Sequence, residues 1–333
     1  MYKLCKDKVA KIEPLTFSEL NMQENDIEEM LRKNIDMICD EEESMLIVGR
    51  QVRNAELGRS DLTAIDNNGN IVLIEIKRDL KDIAARKESF EFQAIRYAAS
   101  YATIENLDDL VNKVYSPYIE KYRDEFKHDS NSLTSTELAT RNISEFLTAN
   151  NSINEFNKKQ KIILVASDFD SQTLSAVAWL NNNSVNISCY KLIPYKINNE
   201  IVINIEKVLP INDYDDFYVD LIHSTTTISR KKANFSRRNL PRINDMLSWG
   251  IVKENDIIIA KDTDEEAILM KNGNVLVDGE EKSLQTWLKD IYGWSSVQTY
   301  AFALHKERGK TLSEIREEYM ESQVKSKDST NQL

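Results

Sequence analysis

The sequence predicts an α/β protein with a smaller α+β domain behind it, and three stretches carry that prediction. Residues 71–76 are apolar on both faces apart from Glu75, the pattern of a strand in the middle of a covered sheet. Helix-forming segments alternate with strand-forming ones around it: Glu24 to Ile38, then Ala84 to Ile104, then the apolar run from Lys161 to Ala166. After Ile243 the pattern shortens to brief apolar runs punctuated by Asn272-Gly273 and Asp278-Gly279, the signature of a small antiparallel sheet with tight turns.

The first helix is unusual in what it turns inward. At about 3.6 residues per turn, Ile27, Leu31, Ile35 and Ile38 form one stripe, and Glu24 and Glu28 fall inside it. Carboxylates in the first turns favour the helix dipole wherever they point. The dipole does not explain why they lie on the inward face.

The next two strands form a hairpin. Asp66-Asn67-Asn68-Gly69-Asn70 supplies residues tolerant of positive φ, which fold the strand bearing Asp61 back alongside residues 71–76. Glu75 and Lys77 are two apart, so the pleat puts them on one face. Two carboxylates and an ammonium thus converge. With the Ile76 carbonyl they form a hard oxygen site suited to Mg²⁺ or Mn²⁺, beside which Lys77 would orient water and offset charge developing on a phosphate. A plainer reading has Glu75 and Lys77 beyond the strand end, pairing with each other in solvent. In the following helical segment Gln93 and Tyr97 lie one turn apart on a single face.

Helix with Glu, strand with Asp61, strand with Glu75-Ile76-Lys77, helix with Gln93 and Tyr97: this order resembles the PD-(D/E)XK nuclease superfamily. The region from Glu24 to Pro210 looks like its NucS-type endonuclease domain. The resemblance implies a restriction-endonuclease-like core, a mixed central sheet flanked by helices. It implies that Asp61, Glu75 and either Glu24 or Glu28 hold the metal, Mg²⁺ or Mn²⁺, and that Lys77, Gln93 and Tyr97 serve the scissile phosphate of DNA. The later strand, helix and strand, from Lys161 to Asp170, around Trp179 and from Val185 to Leu192, are similar to those that complete the domain. A long polar insert from about residue 112 to 160 departs from the family pattern. A homodimer is also raised, because two DNA strands need two sites, although no residue marks its interface.

Composition sets the bounds. The 333 residues are enough for two cores, and 41% are apolar. A net charge of -12 argues against long-range attraction of the whole molecule to a polyanion, so positive charge must be found locally. Arg230, Lys231, Lys232, Arg237, Arg238 and Arg242 supply it, with Phe235 among them. The plainer reading is a solvated linker. Cys5, Cys39 and Cys189 lack metal spacing, and His128, His223 and His305 stand apart, so zinc and histidine-based hydrolases lose support. No apolar run approaches ~20 residues, and the N-terminus lacks a signal-peptide pattern; a cytoplasmic protein without a membrane partner is expected.

The predicted organisation is a nuclease-like domain over 1–212, its first residues a leading strand or arm, then a basic linker over 213–242. Residues 243–322 resemble the RAMA domain, a small module thought to contact DNA, and 323–333 read as a disordered tail. Trp249, Trp287 and Trp294 are the aromatics able to stack on a base, though in so small a domain such rings also serve as core. Together these readings predict a metal-dependent DNA endonuclease in restriction or anti-phage defence, with modified DNA as one substrate it could sense. A NucS-like mismatch or repair nuclease is the alternative. A non-catalytic DNA-binding regulator is a third, against which the intact Asp61, Glu75 and Lys77 weigh.

Overall fold

The computed structural model describes residues 1–6, 8–54, 58–84, 88–126, 133–211 and 240–330. The chain divides into two compact units, Met1–Ile38 with Met45–Ile211, and Cys39–Ser44 with Asn212–Leu333.

In the first unit the elements are β1 (Tyr2–Cys5), β2 (Lys8–Lys11), α1 (Glu24–Lys33), β3 (Met45–Arg53), β4 (Arg59–Asp66) and β5 (Ile71–Ile76). Helices α2 (Leu80–Ala84), α3 (Phe90–Tyr101), α4 (Leu107–Leu110), α5 (Ser116–Lys121) and α6 (Ser135–Ala149) follow, then β6 (Gln160–Ala166), α7 (Ser171–Asn182), β7 (Ile187–Ile197) and β8 (Glu200–Leu209). β1 and β2 pair as a separate antiparallel hairpin. The other six strands form one sheet in chain order, antiparallel from β3 to β5, parallel from β5 to β7, and antiparallel again at β8. The unit is therefore mixed α/β with a six-stranded mixed central sheet.

β5 owes its interior place to its sequence. Every one of its residues is buried, with β4 on one side and β6 on the other. A parallel pair needs a crossover, and the one from β5 to β6 carries α2 to α6, which absorbs the long insert. The insert is not polar throughout. α6 buries Leu138, Ala139, Ile143, Phe146 and Leu147 on one face, and Thr134 caps it, accepting from Glu137 N at 3.2 Å while Glu137 accepts from Thr134 N at 2.8 Å.

The second unit contains α8 (Ile243–Ser248), β9 (Ile257–Ala260), β10 (Glu266–Leu269), β11 (Val275–Val277), β12 (Glu280–Lys282), α9 (Leu284–Tyr292), α10 (Thr299–Phe302), β13 (Ala303–His305), β14 (Lys310–Thr311) and α11 (Leu312–Thr330). Its strands form one antiparallel sheet in the order β12-β11-β10-β9-β13-β14. Asp278 and Gly279, with φ of 50° and 86°, close β11 onto β12, the two positive values that a type I′ hairpin requires.

Two sequence expectations are corrected here. The tail from 323 does not begin as disorder, because α11 runs on to Thr330 through a stretch with neither Gly nor Pro to stop it. Residues 39–44, expected within the first domain, belong to the second unit. The segment supplies two backbone acceptors and one carboxylate there: Glu41 O takes Thr299 N at 2.8 Å, Glu43 O takes Ser296 Oγ at 2.9 Å, and Glu42 Oε1 takes Arg316 Nη2 at 2.7 Å.

Candidate metal centre

Asp61 stands on β4 one residue before Leu62, which pairs with Ile74 of β5. Its Oδ2 accepts Ile76 N at 2.7 Å, and its own N–H donates to Glu75 Oε1 at 3.4 Å, so backbone and carboxylates are laced across the two strands. The ladder to β6 continues one residue past the end of β5, with Lys77 N donating to Val165 O at 2.8 Å. Lys77 is thereby held inside the unit, 1% exposed, with Nζ 5.3 Å from the centre of the Phe90 ring. Its ammonium donates to Ile76 O at 2.5 Å and to Glu24 Oε1 at 3.3 Å, and lies 3.8 Å from Asp61 Oδ2.

α1 brings the other carboxylates. Oxygen atoms of Glu24, Glu28 and Asp61 all lie within 4.8 Å of one another. Sequence alone left Glu24 and Glu28 as alternatives; the helix brings both to Asp61. Glu28 is buried between two residues of β3, with Oε2 3.2 Å from Arg50 Nε and Oε1 accepting Gln51 Nε2 at 2.6 Å. Arg50 also donates to Tyr122 OH at 3.0 Å, which ties the insert to this corner.

The expected trio is thus modified. Glu75 and Lys77 do not pair in solvent: both are buried, and the ammonium points to Glu24 and Asp61. Glu75 does not join the converging group of three, its Oε1 being engaged with the Asp61 backbone. The Ile76 carbonyl, expected to face a metal, accepts the Lys77 ammonium.

Burial pushes the Asp61 carboxyl up to about 6, against the Lys77 ammonium and the Ile76 N–H, which pull it down, and with smaller upward contributions from Glu28 and Glu24. Three carboxylates there face two cations, Lys77 and Arg50. An all-oxygen donor set with surplus negative charge fits a hard divalent cation such as Mg²⁺ or Mn²⁺.

α3 is pinned beside this group by two tyrosines one turn apart. Tyr97 OH accepts Arg59 N at 3.1 Å and Gln93 Nε2 at 3.5 Å. Tyr101 OH reaches Ser60 Oγ at 2.8 Å and Thr63 Oγ1 at 2.6 Å. Gly58 makes the first contact feasible, since a Cβ there would lie 2.6 Å from Tyr97 Cε1. Gln93 and Tyr97 thus meet each other and the start of the Asp61 strand.

Of the predicted DNA-contacting residues, Arg230, Lys231, Lys232, Arg237 and Arg238 lie outside the described residues. Arg242 heads α8 with its side chain exposed. Trp287 and Trp294 are buried in the second unit, Trp294 stacked on Tyr292 and edge-on to Phe302, which makes them core. Trp249 is 37% exposed and stacks on Tyr319 with 4.7 Å between ring centres.

Sequence reasoning missed Arg50 and Gln51. The only trace they leave is a polar pair interrupting the apolar run that begins at Met45. No helix is long and apolar enough to cross a membrane among the described residues. Comparison with protein-family models and with curated protein sequences finds no match for this chain.

Proposed function

We propose that the chain is a divalent-metal-dependent DNA endonuclease of the PD-(D/E)XK type, acting in restriction or anti-phage defence. The observation that carries this reading is the Lys77 ammonium buried between Glu24 and Asp61, with Glu28 in the same cluster. Buried charged groups gathered this closely concentrate at functional sites, and hydrolysis of a phosphodiester uses each part. The mixed sheet and the placement of Asp61 and Lys77 on neighbouring strands also fit.

In this reading Glu24, Glu28 and Asp61 hold the cation, and Glu75 steadies the Asp61 backbone. When bound, the cation supplies Lewis acidity toward the phosphate and acidifies water. Lys77 orients the attacking water and offsets charge on the phosphate oxygens as they become more negative. Tyr97, held against Arg59, sets the position of α3 beside the cleaved strand. The second unit is read as a RAMA-like DNA reader. Arg242 and the basic run before it contact phosphates, and Trp249 is the one proposed stacking ring left accessible.

The test incubates the purified chain with Mg²⁺ or Mn²⁺ and unmodified, methylated, hydroxymethylated, mismatched or single-stranded DNA, beside a chelator control. Metal-dependent cleavage that ranks modified against unmodified duplex supports the defence reading. Preference for mismatches would move it to repair. Absence of cleavage on every substrate would sink the enzyme reading.

A further inference from the structure

Gln51 stands on β3 where the ladder to β4 opens. Arg50 pairs with Leu62 and Val52 with Ser60, so Gln51 lies opposite Asp61. Its φ of 54° is in the left-handed region, which a residue bearing a side chain occupies only when its surroundings hold it there. The ladder would have been simpler with extended backbone at this point. What the local distortion achieves is the placing of one amide: Nε2 donates to Glu28 Oε1 at 2.6 Å and to Asp61 Oδ1 at 3.3 Å.

That amide links the helix carboxylate to the strand carboxylate. Two carboxylates with oxygens within 4.8 Å repel each other, and nothing in the chain's covalent geometry keeps α1 and β4 at that separation. A primary amide nitrogen has two hydrogens, one for each acceptor. It is also neutral, so it draws the carboxylates together without cancelling the negative charge that attracts a cation. Arg50, which holds the other oxygen of Glu28, does cancel some of it.

We infer that Gln51 is a positioning residue of the metal centre, acting through Glu28 and Asp61 by holding them converged while no ion lies between them. This rests on the reading of the cluster as a metal centre. Since Gln51 acts on where the ligands stand, its loss weakens ion binding.

Two variants of the full chain separate the amide from the backbone. Gln51→Met keeps the side-chain length and the left-handed strain but has no donor. Gln51→Gly removes the side chain and suits the backbone angle. Mn²⁺ binding to each ion-free protein is followed by the electron paramagnetic resonance signal of free Mn²⁺, a readout independent of cleavage. Both variants should raise the Kd about tenfold, the effect typical of a residue that orients metal ligands. An unchanged Kd in both overturns the proposal, as does a change confined to one, which would assign the effect to side-chain shape or backbone strain. A wild-type protein that takes up no Mn²⁺ is a different failure: it removes the metal reading and this proposal with it.

Discussion

The Lys77 ammonium lies 3.3 Å from Glu24 Oε1, a contact between the end of the hairpin's second strand and the first turn of a helix far upstream. Lys77 is 1% exposed in its side chain and Glu24 32%, so the ammonium is sealed in while its partner still reaches solvent. This geometry gives one buried cation two carboxylate neighbours and makes it the pivot of the site.

Replacing that ammonium should therefore do two separable things. In Lys77→Met the carboxylates lose their buried counter-charge, and the ion-free protein should lose about 3–5 kcal/mol, as when one partner of a buried pair is removed. Saturating Mn²⁺ should restore much of that stability but not cleavage. Urea melts with and without Mn²⁺ measure the first effect. A variant whose stability is indifferent to Mn²⁺ would mean that the cation does not enter next to Lys77.

Asp61 gives the protein a pH signature. Its carboxyl is raised from 3.8 to about 6 in the fold, so the folded state favours the protonated form. The contribution to stability is complete below 3.8 and is lost as pH rises through about 6, which amounts to roughly 3 kcal/mol. Asp61→Asn cannot ionise. It should exceed ion-free wild type in stability at pH 7, with the gap closing by pH 4. Mn²⁺ should also displace about one proton on binding at pH 5 and almost none at pH 8. Equal stability of the two proteins at pH 7 would contradict the raised carboxyl.

Glu28 and Glu75 should not be equivalent. Glu28 shares the converging oxygens with Glu24 and Asp61, whereas Glu75 Oε1 accepts the Asp61 N–H. Glu28→Gln should lower Mn²⁺ affinity more than Glu75→Gln, in titration calorimetry of the ion-free proteins. The reverse order would restore Glu75 to the first rank of ligands that the motif pattern implies.

Much of this site was legible in sequence. Asp61, Glu75 and Lys77 were placed by a period of two along the strands and a turn of known chemistry, and Glu24 and Glu28 by the period of the helix. What was not legible is the direction of the pairings. Glu75 and Lys77 look like partners at two residues apart, but once the strand is buried the ammonium is drawn to the carboxylates presented by α1 and β4. Gln51 could not be read at all, since its role depends on a left-handed backbone that Gln does not favour. The second unit shows the same limit. Its hairpin at Asp278-Gly279 is written in the turn residues, while the adoption of residues 39–44 rests on long-range contacts to Thr299 and Arg316 that no local pattern announces.

Those contacts carry a prediction for the second unit. Arg316 is 1% exposed, with Nη2 on Glu42 Oε1 at 2.7 Å and its guanidinium 4.6 Å from the centre of the Tyr300 ring. Glu42→Ala should destabilise this unit by about 3–5 kcal/mol, because it strands a buried charge. A fragment of residues 240–330 should melt well below the same fragment supplemented with a 39–44 peptide. If the fragment melts identically with and without the peptide, the acidic segment is not a structural part of the unit.

The central claim, that Asp61 belongs to a metal centre that hydrolyses phosphodiesters, is met most directly by single-turnover cleavage of duplex DNA at saturating Mn²⁺. Wild type is compared with Asp61→Asn, after melting curves establish that both are folded. Loss of a ligand that carries several kcal/mol of Lewis-acid stabilisation should slow cleavage about a thousandfold, the rate equivalent of roughly 4 kcal/mol. Equal rates in the two proteins would place the chemistry elsewhere and contradict the account.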